Sequence, residues 1–248
     1  MTCKTAFLIP VYNHHRVLEH IVTRLTDYSL PCLLVNDGSA PECREEMQRI
    51  ADSREWVSLI HLPENQGKGG AVMAGIRQLA KQGFSHVFQI DADGQHDLNR
   101  IPAFLAASAE QPQAMILGQA IYDDSVPKSR LYGRYITHVW VWIETLSLAI
   151  RDSMCGFRIY PVEETHQIIS SRQIGMRMDF DVEIVVRLHW AGVPTVNLPV
   201  PVNYPMDGIS HFDVLNDNLR ISKAHTKLFF GMLWRMPVLL FRSLSRAR

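Results

Sequence analysis

The sequence predicts an α/β fold, a mostly parallel central sheet flanked by helices. Three observations carry that expectation. Between Ala6 and Gly118, apolar runs of strand length alternate with longer segments of helix length, the order that a parallel sheet covered on both faces requires. Three strand ends carry loops dense in polar residues or glycine, at Tyr12-Asn13, Asn36-Asp37-Gly38-Ser39 and Asp91-Ala92-Asp93-Gly94. In a doubly wound sheet such loops gather on one rim, where these folds bind ligands. In residues 87–96, Val-Phe-Gln-Ile-Asp-Ala-Asp-Gly-Gln-His, a hydrophobic run breaks into two carboxylates one residue apart. On a strand the pair would point the same way, because side chains alternate with period two.

Taken in order, Ala6–Ile9 is expected as a strand and His14–Asp27 as a helix, then Cys32–Asn36 as a strand and Glu42–Ser53 as a helix. The alternation continues through strand Val57–His61, helix Gly70–Gln82, strand His86–Ile90, helix Leu98–Ala109 and strand Ala114–Gly118. Beyond it the pattern loosens. Lys128–Ile150 reads as a long helix, Phe157–Tyr160 as a short strand, Asp181–Ala191 as a helix, and Thr195–Val202 as an extended, proline-rich segment.

The chain of 248 residues fits one large domain, or a domain with an appendage. Residues 1–222 are expected as the main domain and 223–248 as a basic, amphipathic C-terminal helix. A formal net charge of zero gives no global electrostatic case for nucleic acid. The four cysteines show neither a CxxC pair nor zinc-like spacing and read as thiols of a reducing compartment. Met1 runs straight into a strand-like segment with no room for a signal peptide, so a cytoplasmic location is expected. No run reaches the length of a transmembrane span. The apolar stretch Leu228–Phe241, framed by Lys223, Lys227, Arg242, Arg246 and Arg248, has the make-up of a helix lying at a membrane surface.

Familiar phosphate-binding and hydrolase motifs are missing. Pro10-Val11-Tyr12-Asn13 stands where a dinucleotide fold would place G-x-G-x-x-G, and Gly67-Lys68 is followed by Gly69 instead of Ser or Thr. There is no Gly-x-Ser-x-Gly elbow. Asp91 and Asp93 supply hard oxygen ligands of the kind that hold Mg²⁺ or Mn²⁺ jointly with a substrate's phosphates.

The strand-end Pro-Val-Tyr-Asn, the Asp37-Gly38-Ser39 turn, the Gln66-Gly67-Lys68-Gly69 loop and the acidic pair occur in one order over roughly residues 4 to 212. In that order they resemble the family-2 glycosyltransferases of GT-A fold, in particular polyprenol-phosphate sugar synthases of the dolichol-phosphate mannose synthase type. The resemblance implies an inverting transfer from a UDP- or GDP-linked sugar to a lipid or polyprenyl-phosphate acceptor at the cytoplasmic membrane face. It implies that Pro10, Tyr12 and Val35 line the base slot and that Asp37 binds base or ribose. It implies that the Gly67–Gly70 loop lets backbone approach the nucleotide, with Lys68 near the rim. Asp91 and Asp93 become the metal pair, Asp93 the direct ligand, and Gln95 a binding residue. Asp152-Ser153-Met154-Cys155-Gly156-Phe157-Arg158 resembles the family's Asp-x-x-x-Gly-Phe-Arg block, part of the acceptor and diphosphate wall.

Two departures stand out. Gln119-Ala120-Ile121 replaces an expected arginine, and His211 stands where the synthases carry lysine. Phosphate clamping then falls to Lys128, Arg130, Arg158 and His211. If the acceptor is a hydroxyl, inverting transfer needs a base, and the resemblance points to Asp181 by position, with Glu183 structural or orienting. An ionised phosphate acceptor needs none. Rival readings are a sugar-phosphate nucleotidylyltransferase, which would show glycines after the first strand, and a catalytically inactive glycosyltransferase-like scaffold.

Overall fold

The computed structural model describes residues 3–122, 128–202 and 213–246. Its strands are β1 (Thr5–Val11), β2 (Cys32–Asn36), β3 (Val57–His61), β4 (His86–Gln89), β5 (Met115–Tyr122), β6 (Arg158–Pro161) and β7 (Thr195–Val202). The helices are α1 (His15–Leu25), α2 (Pro41–Asp52), α3 (Lys68–Lys81), α4 (Ile101–Glu110), α5 (Lys128–Thr145), α6 (Val162–Ser171), α7 (Asp179–Ala191) and α8 (Val214–Arg246). The strands form one seven-stranded sheet in the order β3-β2-β1-β4-β6-β5-β7. Pairing is parallel except at β6, which runs antiparallel between β4 and β5.

The central strands are apolar because both of their faces are covered. Alternation sorts their side chains. Ala6, Leu8, Leu33 and Val35 pack with Ala71, Val72 and Ile76 of α3 and with α7. Phe7, Ile9 and Leu34 pack with Leu18 and Ile21 of α1, Met47 of α2 and Phe104 of α4. The first half therefore matches the expected order of elements, with ends moved by a few residues.

The second half departs in three places. Val162–Ser171, unassigned in the sequence reading, is helix α6; it follows Pro161, opens with Glu163 and Glu164, and buries Val162, Thr165 and Ile169. The helix expected to reach Ile150 stops at Thr145, where Leu146 takes a positive φ of 48° and the Trp142 indole N–H donates to the Ile150 carbonyl. The C-terminal helix is far longer than its apolar segment: α8 spans 33 residues and crosses the expected 222/223 boundary without a break.

α8 is held against the domain by one face. Leu228, Met232 and Leu239 are buried in the core below α7, and Lys227 and Arg242 turn inward to the Glu183 carboxylate and the Trp190 carbonyl. In the α5–α8 contact the His225 ring pairs through Nδ1 with the buried Glu144 carboxylate at 2.7 Å. No described helix is long and apolar enough to cross a membrane.

Candidate active site

A cavity of about 800 Å³ opens on the rim where β1, β2 and β4 end, within the size range of small-ligand clefts. Pro10, Tyr12, Asp37, Lys68, Asp91, Asp93, Gln95 and Asp181 all line it. Residues from widely separated positions meet there because parallel strands deliver their carboxyl ends to one side.

The nucleoside-sized end is built on Asp37. This carboxylate accepts from Gln66 N at 2.7 Å, Gly67 N at 2.9 Å and Asn65 Nδ2 at 3.0 Å, fastening the 65–67 loop to the end of β2. Burial raises its pKa, although the two backbone N–H groups and Arg177 act against that rise. Asn13, at φ 56°, ties β1 to the next loop by accepting from Ala40 N. The glycines of the 67–70 loop also have a use inside the fold. An added Cβ on Gly67 would run into the Met176 carbonyl and Arg177, one on Gly69 into Phe180, and one on Gly70 into Gln66. Gly70 N donates to the Met176 carbonyl at 2.8 Å. The missing side chains at these three glycines let the segment before α7 lie directly on the loop.

Below the cavity floor six side chains form a closed polar ring. Lys68 Nζ donates to Asp91 Oδ2 at 2.8 Å and lies 2.8 Å from Asp181 Oδ2. Asp181 Oδ1 is 3.5 Å from Arg158 Nη2. The Arg158 guanidinium sits 5.9 Å from the Tyr160 ring, Tyr160 donates to Gln89 Oε1 at 3.2 Å, and Gln89 Nε2 donates to Asp91 Oδ1 at 3.2 Å. Burial alone would raise the Asp91 pKa, but Lys68 above all, with His96 and Gln89, pulls it down to about 2. Burial also works against the charge of Lys68, and Asp181 with Asp91 overcomes it, holding the ammonium well above the ordinary lysine range. Far from lying at the rim, Lys68 is therefore the centre of the floor.

The acidic pair does not sit on a strand face. β4 ends at Gln89, and Asp91–Gly94 form a turn closed by Gly94 at φ 69°. Both carboxylates still reach the cavity. Asp93 Oδ1 accepts from Gln95 N at 3.1 Å. His96 Nε2 lies 3.6 Å from Cys155 Sγ, and its buried Nδ1 has no partner. Burial disfavours its charge, yet Cys155, Asp91 and Asp93 push its pKa up to about 9.

Two expected contacts are corrected. Val35 does not line the cavity; it is fully buried, because its place in β2 turns it toward α3. Arg158 does not face the cavity either. Antiparallel β6 sets it opposite Gln89 in mid-sheet, where its guanidinium donates to the carbonyls of Cys155, Asp181 and Ser153 at 2.7, 3.1 and 3.3 Å. It is a fixed buried cation behind Asp181. His211 lies outside the described residues. Lys128 and Arg130 fall at the start of α5, and their side chains lie outside the described residues too.

Two cations in the cavity wall escaped the sequence reading. Arg134 of α5 donates to Asp152 Oδ1 at 2.6 Å. Asp152 also accepts from Ala120 N, Met154 N and Cys155 N. Burial favours the neutral form of Asp152, but Arg134 above all, with His138 and the Ala120 N–H, holds its pKa below the usual value. Arg134 was legible in principle as a cation one turn after Arg130 on an otherwise apolar helix. Arg177 donates to Asn65 Oδ1 at 3.2 Å beside the nucleoside-sized end; nothing in its sequence context marked it.

Among the described residues no three His, Cys, Asp or Glu side chains converge to cage a metal. The donor set fits another arrangement. A carboxylate at Asp93, the Gln95 amide and the space beside them suit a hard cation that takes the rest of its shell from phosphates and water.

The sequence profile described as Glycosyl transferase family 2 matches residues 6–174. The chain is 24% identical to a dolichyl-phosphate beta-glucosyltransferase of Dictyostelium discoideum, over 91% of this chain and 74% of that protein. A Trichomonas vaginalis dolichyl-phosphate beta-glucosyltransferase is 23% identical, and the chain spans 64% of its length. An undecaprenyl-phosphate mannosyltransferase of Micrococcus luteus is 26% identical over 78% of this chain and 81% of its own. Among solved structures, glucosyl-3-phosphoglycerate synthase of Mycobacterium tuberculosis with Mn²⁺ and UDP-glucose superposes with a TM-score of 0.61 at 15% identity, covering 94% of this chain and 79% of that one. A mannosyltransferase of Pyrobaculum calidifontis with GDP-Man and Mn²⁺ gives 0.59 at 13% identity, covering 100% and 76%. These likenesses establish the GT-A fold.

Proposed function

Since the chain belongs to glycosyl transferase family 2, we propose that it moves a sugar, with inversion, from a UDP- or GDP-linked donor to the phosphate of a polyprenyl lipid. The observation that carries this reading is the state of Asp181. One of its oxygens faces Lys68 at 2.8 Å and the other faces Arg158 at 3.5 Å. A carboxylate serving two fixed cations is their counter-ion, and taking a proton from an acceptor would break both pairs. With Asp181 held in this way, the reading is an acceptor that brings its own negative oxygen. A phosphomonoester does so at neutral pH, and a lipid alcohol does not. The names of the dolichyl-phosphate and undecaprenyl-phosphate relatives support the same choice.

In this scheme Tyr12, Pro10, Asn65 and Arg177 surround the nucleoside, and the diphosphate lies toward Lys68 and Asp93. Arg134 receives the acceptor phosphate. It can turn to an incoming anion because Asp152 keeps three backbone N–H donors without it. Mg²⁺ or Mn²⁺ at Asp93 would neutralise the charge that develops on the departing diphosphate. The lipid arrives by the surface that α5 and α8 share. There Tyr135, Ile136 and Trp140 of α5 and Phe230, Trp234 and Phe241 of α8 are exposed. Aromatic side chains of this kind favour the boundary between water and hydrocarbon. The enzyme would lie on the cytoplasmic face as a peripheral protein.

The test is transfer from UDP-glucose or GDP-mannose, with Mn²⁺, to undecaprenyl phosphate and to the free alcohol undecaprenol. Product is expected on the phosphate alone, and Asp93→Ala should abolish it. Equal transfer to the alcohol would overturn the reading, because the site would then need a base, the role from which Lys68 and Arg158 withhold Asp181.

A further inference from the structure

We propose that Lys68 is a positioning residue whose ammonium keeps a divalent cation off Asp91 until the donor's diphosphate has entered, so that metal and nucleotide load together. The inference rests on the donor-site reading above and concerns how that site is filled.

The ammonium is fixed where it stands. Lys68 is the first residue of α3, and the turn before it needs Gly67 at φ 86°. The segment at 175–177 lies directly on Gly67 and Gly69, so the backbone that carries Lys68 has no room to withdraw. The side chain must end between the loop after β4 and the start of α7. Asp91 and Asp181 wait there, each 2.8 Å from Nζ.

Asp91 is fully committed in this arrangement. Oδ2 takes the ammonium, Oδ1 takes the Gln89 amide, and the Cα of Gly156 packs against the carboxylate. A divalent cation bound through Asp91 would sit beside a positive charge in a half-dehydrated cleft, where like charges repel strongly. A nucleoside diphosphate reverses the balance. Its oxygens offset the ammonium and offer it new acceptors, while Asp181 keeps Lys68 anchored throughout. Arg158, buried behind Asp181, holds that anchor in place. Two carboxylates around one lysine thus have separate uses: Asp91 can be surrendered, and Asp181 cannot.

The consequence is a coupling between two ligands, and such coupling is reciprocal. Binding of Mn²⁺ to the purified full chain would be followed by the resonance signal of the free ion, with and without UDP or GDP, alongside nucleotide calorimetry. The wild-type protein should bind Mn²⁺ about tenfold or more tightly once its nucleotide is present. Lys68→Met removes the charge and keeps the apolar stem. It should bind Mn²⁺ alone about tenfold more tightly than wild type and lose most of the nucleotide dependence, even though turnover falls. A residue that only supports the fold would give the opposite change in metal affinity. Lys68→Arg should keep the weak nucleotide-free binding.

Should Lys68→Met fail to fold, Asp181→Asn supplies the test in the other direction. With its anchor gone the ammonium rests wholly on Asp91, and Mn²⁺ affinity in the presence of nucleotide should drop severalfold. A folded Lys68→Met whose Mn²⁺ affinity equals or falls below that of wild type overturns the proposal and leaves the donor site standing. Binding of neither UDP nor GDP by the wild-type protein, with Mn²⁺ present, would remove the donor site and this proposal with it.

Discussion

The donor rim and the α5–α8 surface are built on opposite terms. At the rim two carboxylates are met by fixed donors: Asp37 takes three N–H groups, and Asp91 takes an ammonium and an amide. The strands beneath it are sealed, with Phe7, Leu8 and Ile9 at 0% exposure. On α5 and α8 the reverse holds. Tyr132 is 67% exposed, Phe241 73% and Trp234 87%. A lone exposed apolar residue is ordinary, but a row of large ones on two helices packed together is a candidate interaction surface. The contrast follows from the two substrates proposed. A small, charged donor is best met by fixed dipoles and charges arranged beforehand, whereas a long lipid never leaves its apolar phase and asks mainly for a surface that can approach it.

The largest break in this comparison should come from Asp93. Asp93→Ala removes the carboxylate proposed to hold the metal, and turnover is expected to fall about a thousandfold or more. The thermal midpoint should scarcely move, since the visible partner of Asp93 is the nearby Gln95 N–H. Loss of fold along with activity would mean that the turn after β4 is structural and not a ligand site.

Arg134 sharpens the comparison from the other side. Arg134→Ala should raise the KM for polyprenyl phosphate by about tenfold to a hundredfold, the scale of one charge-assisted contact. Donor affinity should stay within a factor of about two. An equal effect on UDP or GDP binding would place Arg134 at the diphosphate and not at the acceptor.

The legible part of the molecule was the part whose residues obey short-range rules. The strands from Ala6 to Gly118 could be read because buried parallel strands are continuous apolar runs, and Asp37, Asp91 and Asp93 because they interrupt such runs at the rim. What escaped was set by tertiary contact. Arg158 was expected in the cavity, yet the antiparallel turn of β6 carries it into mid-sheet, a reversal no local pattern announces. Lys68 was placed at the edge, since nothing near it in sequence shows that Asp181, far along the chain, would meet it. Nothing local to the 67–70 glycines shows that residues 175–177 of the same chain would lie against them.

A smaller effect is expected at the contact that joins α5 to α8. Glu144 is fully buried, and burial raises its pKa above the ordinary value; His225 is its partner. A carboxyl whose folded pKa is raised adds stability when it is protonated. That contribution is present below the unfolded value near 4.5 and is lost as pH climbs through the folded one. Glu144→Gln keeps an acceptor for His225 and removes the titration. The variant should melt a few degrees higher than wild type at about pH 8, and the gap should close toward acid. A gap that is the same at every pH would show that the carboxylate's charge carries no cost there.

The mildest change tests the surface itself. Trp234 projects from α8 with 87% of its area exposed, while Leu228 and Met232, on the other side of the helix, are buried in the core. Replacing Trp234 by Ser therefore leaves the packed face untouched, and the thermal midpoint should stay within about a degree, as surface changes usually do. Its effect should appear only when a bilayer is offered. Removing one interfacial indole should weaken binding to vesicles of anionic phospholipid by a few fold, and Phe230→Ser combined with it by about tenfold, because buried apolar area adds roughly in proportion. Transfer to a short, water-soluble polyprenyl phosphate should be unchanged in both variants, since neither residue lines the cavity. If vesicle binding were unaffected while transfer to the soluble acceptor fell, the Phe230–Trp234 stretch would act in the cleft that Asp217 and Ile221 of α8 already line, and the division between a rigid donor rim and a lipid-facing surface would have to be redrawn.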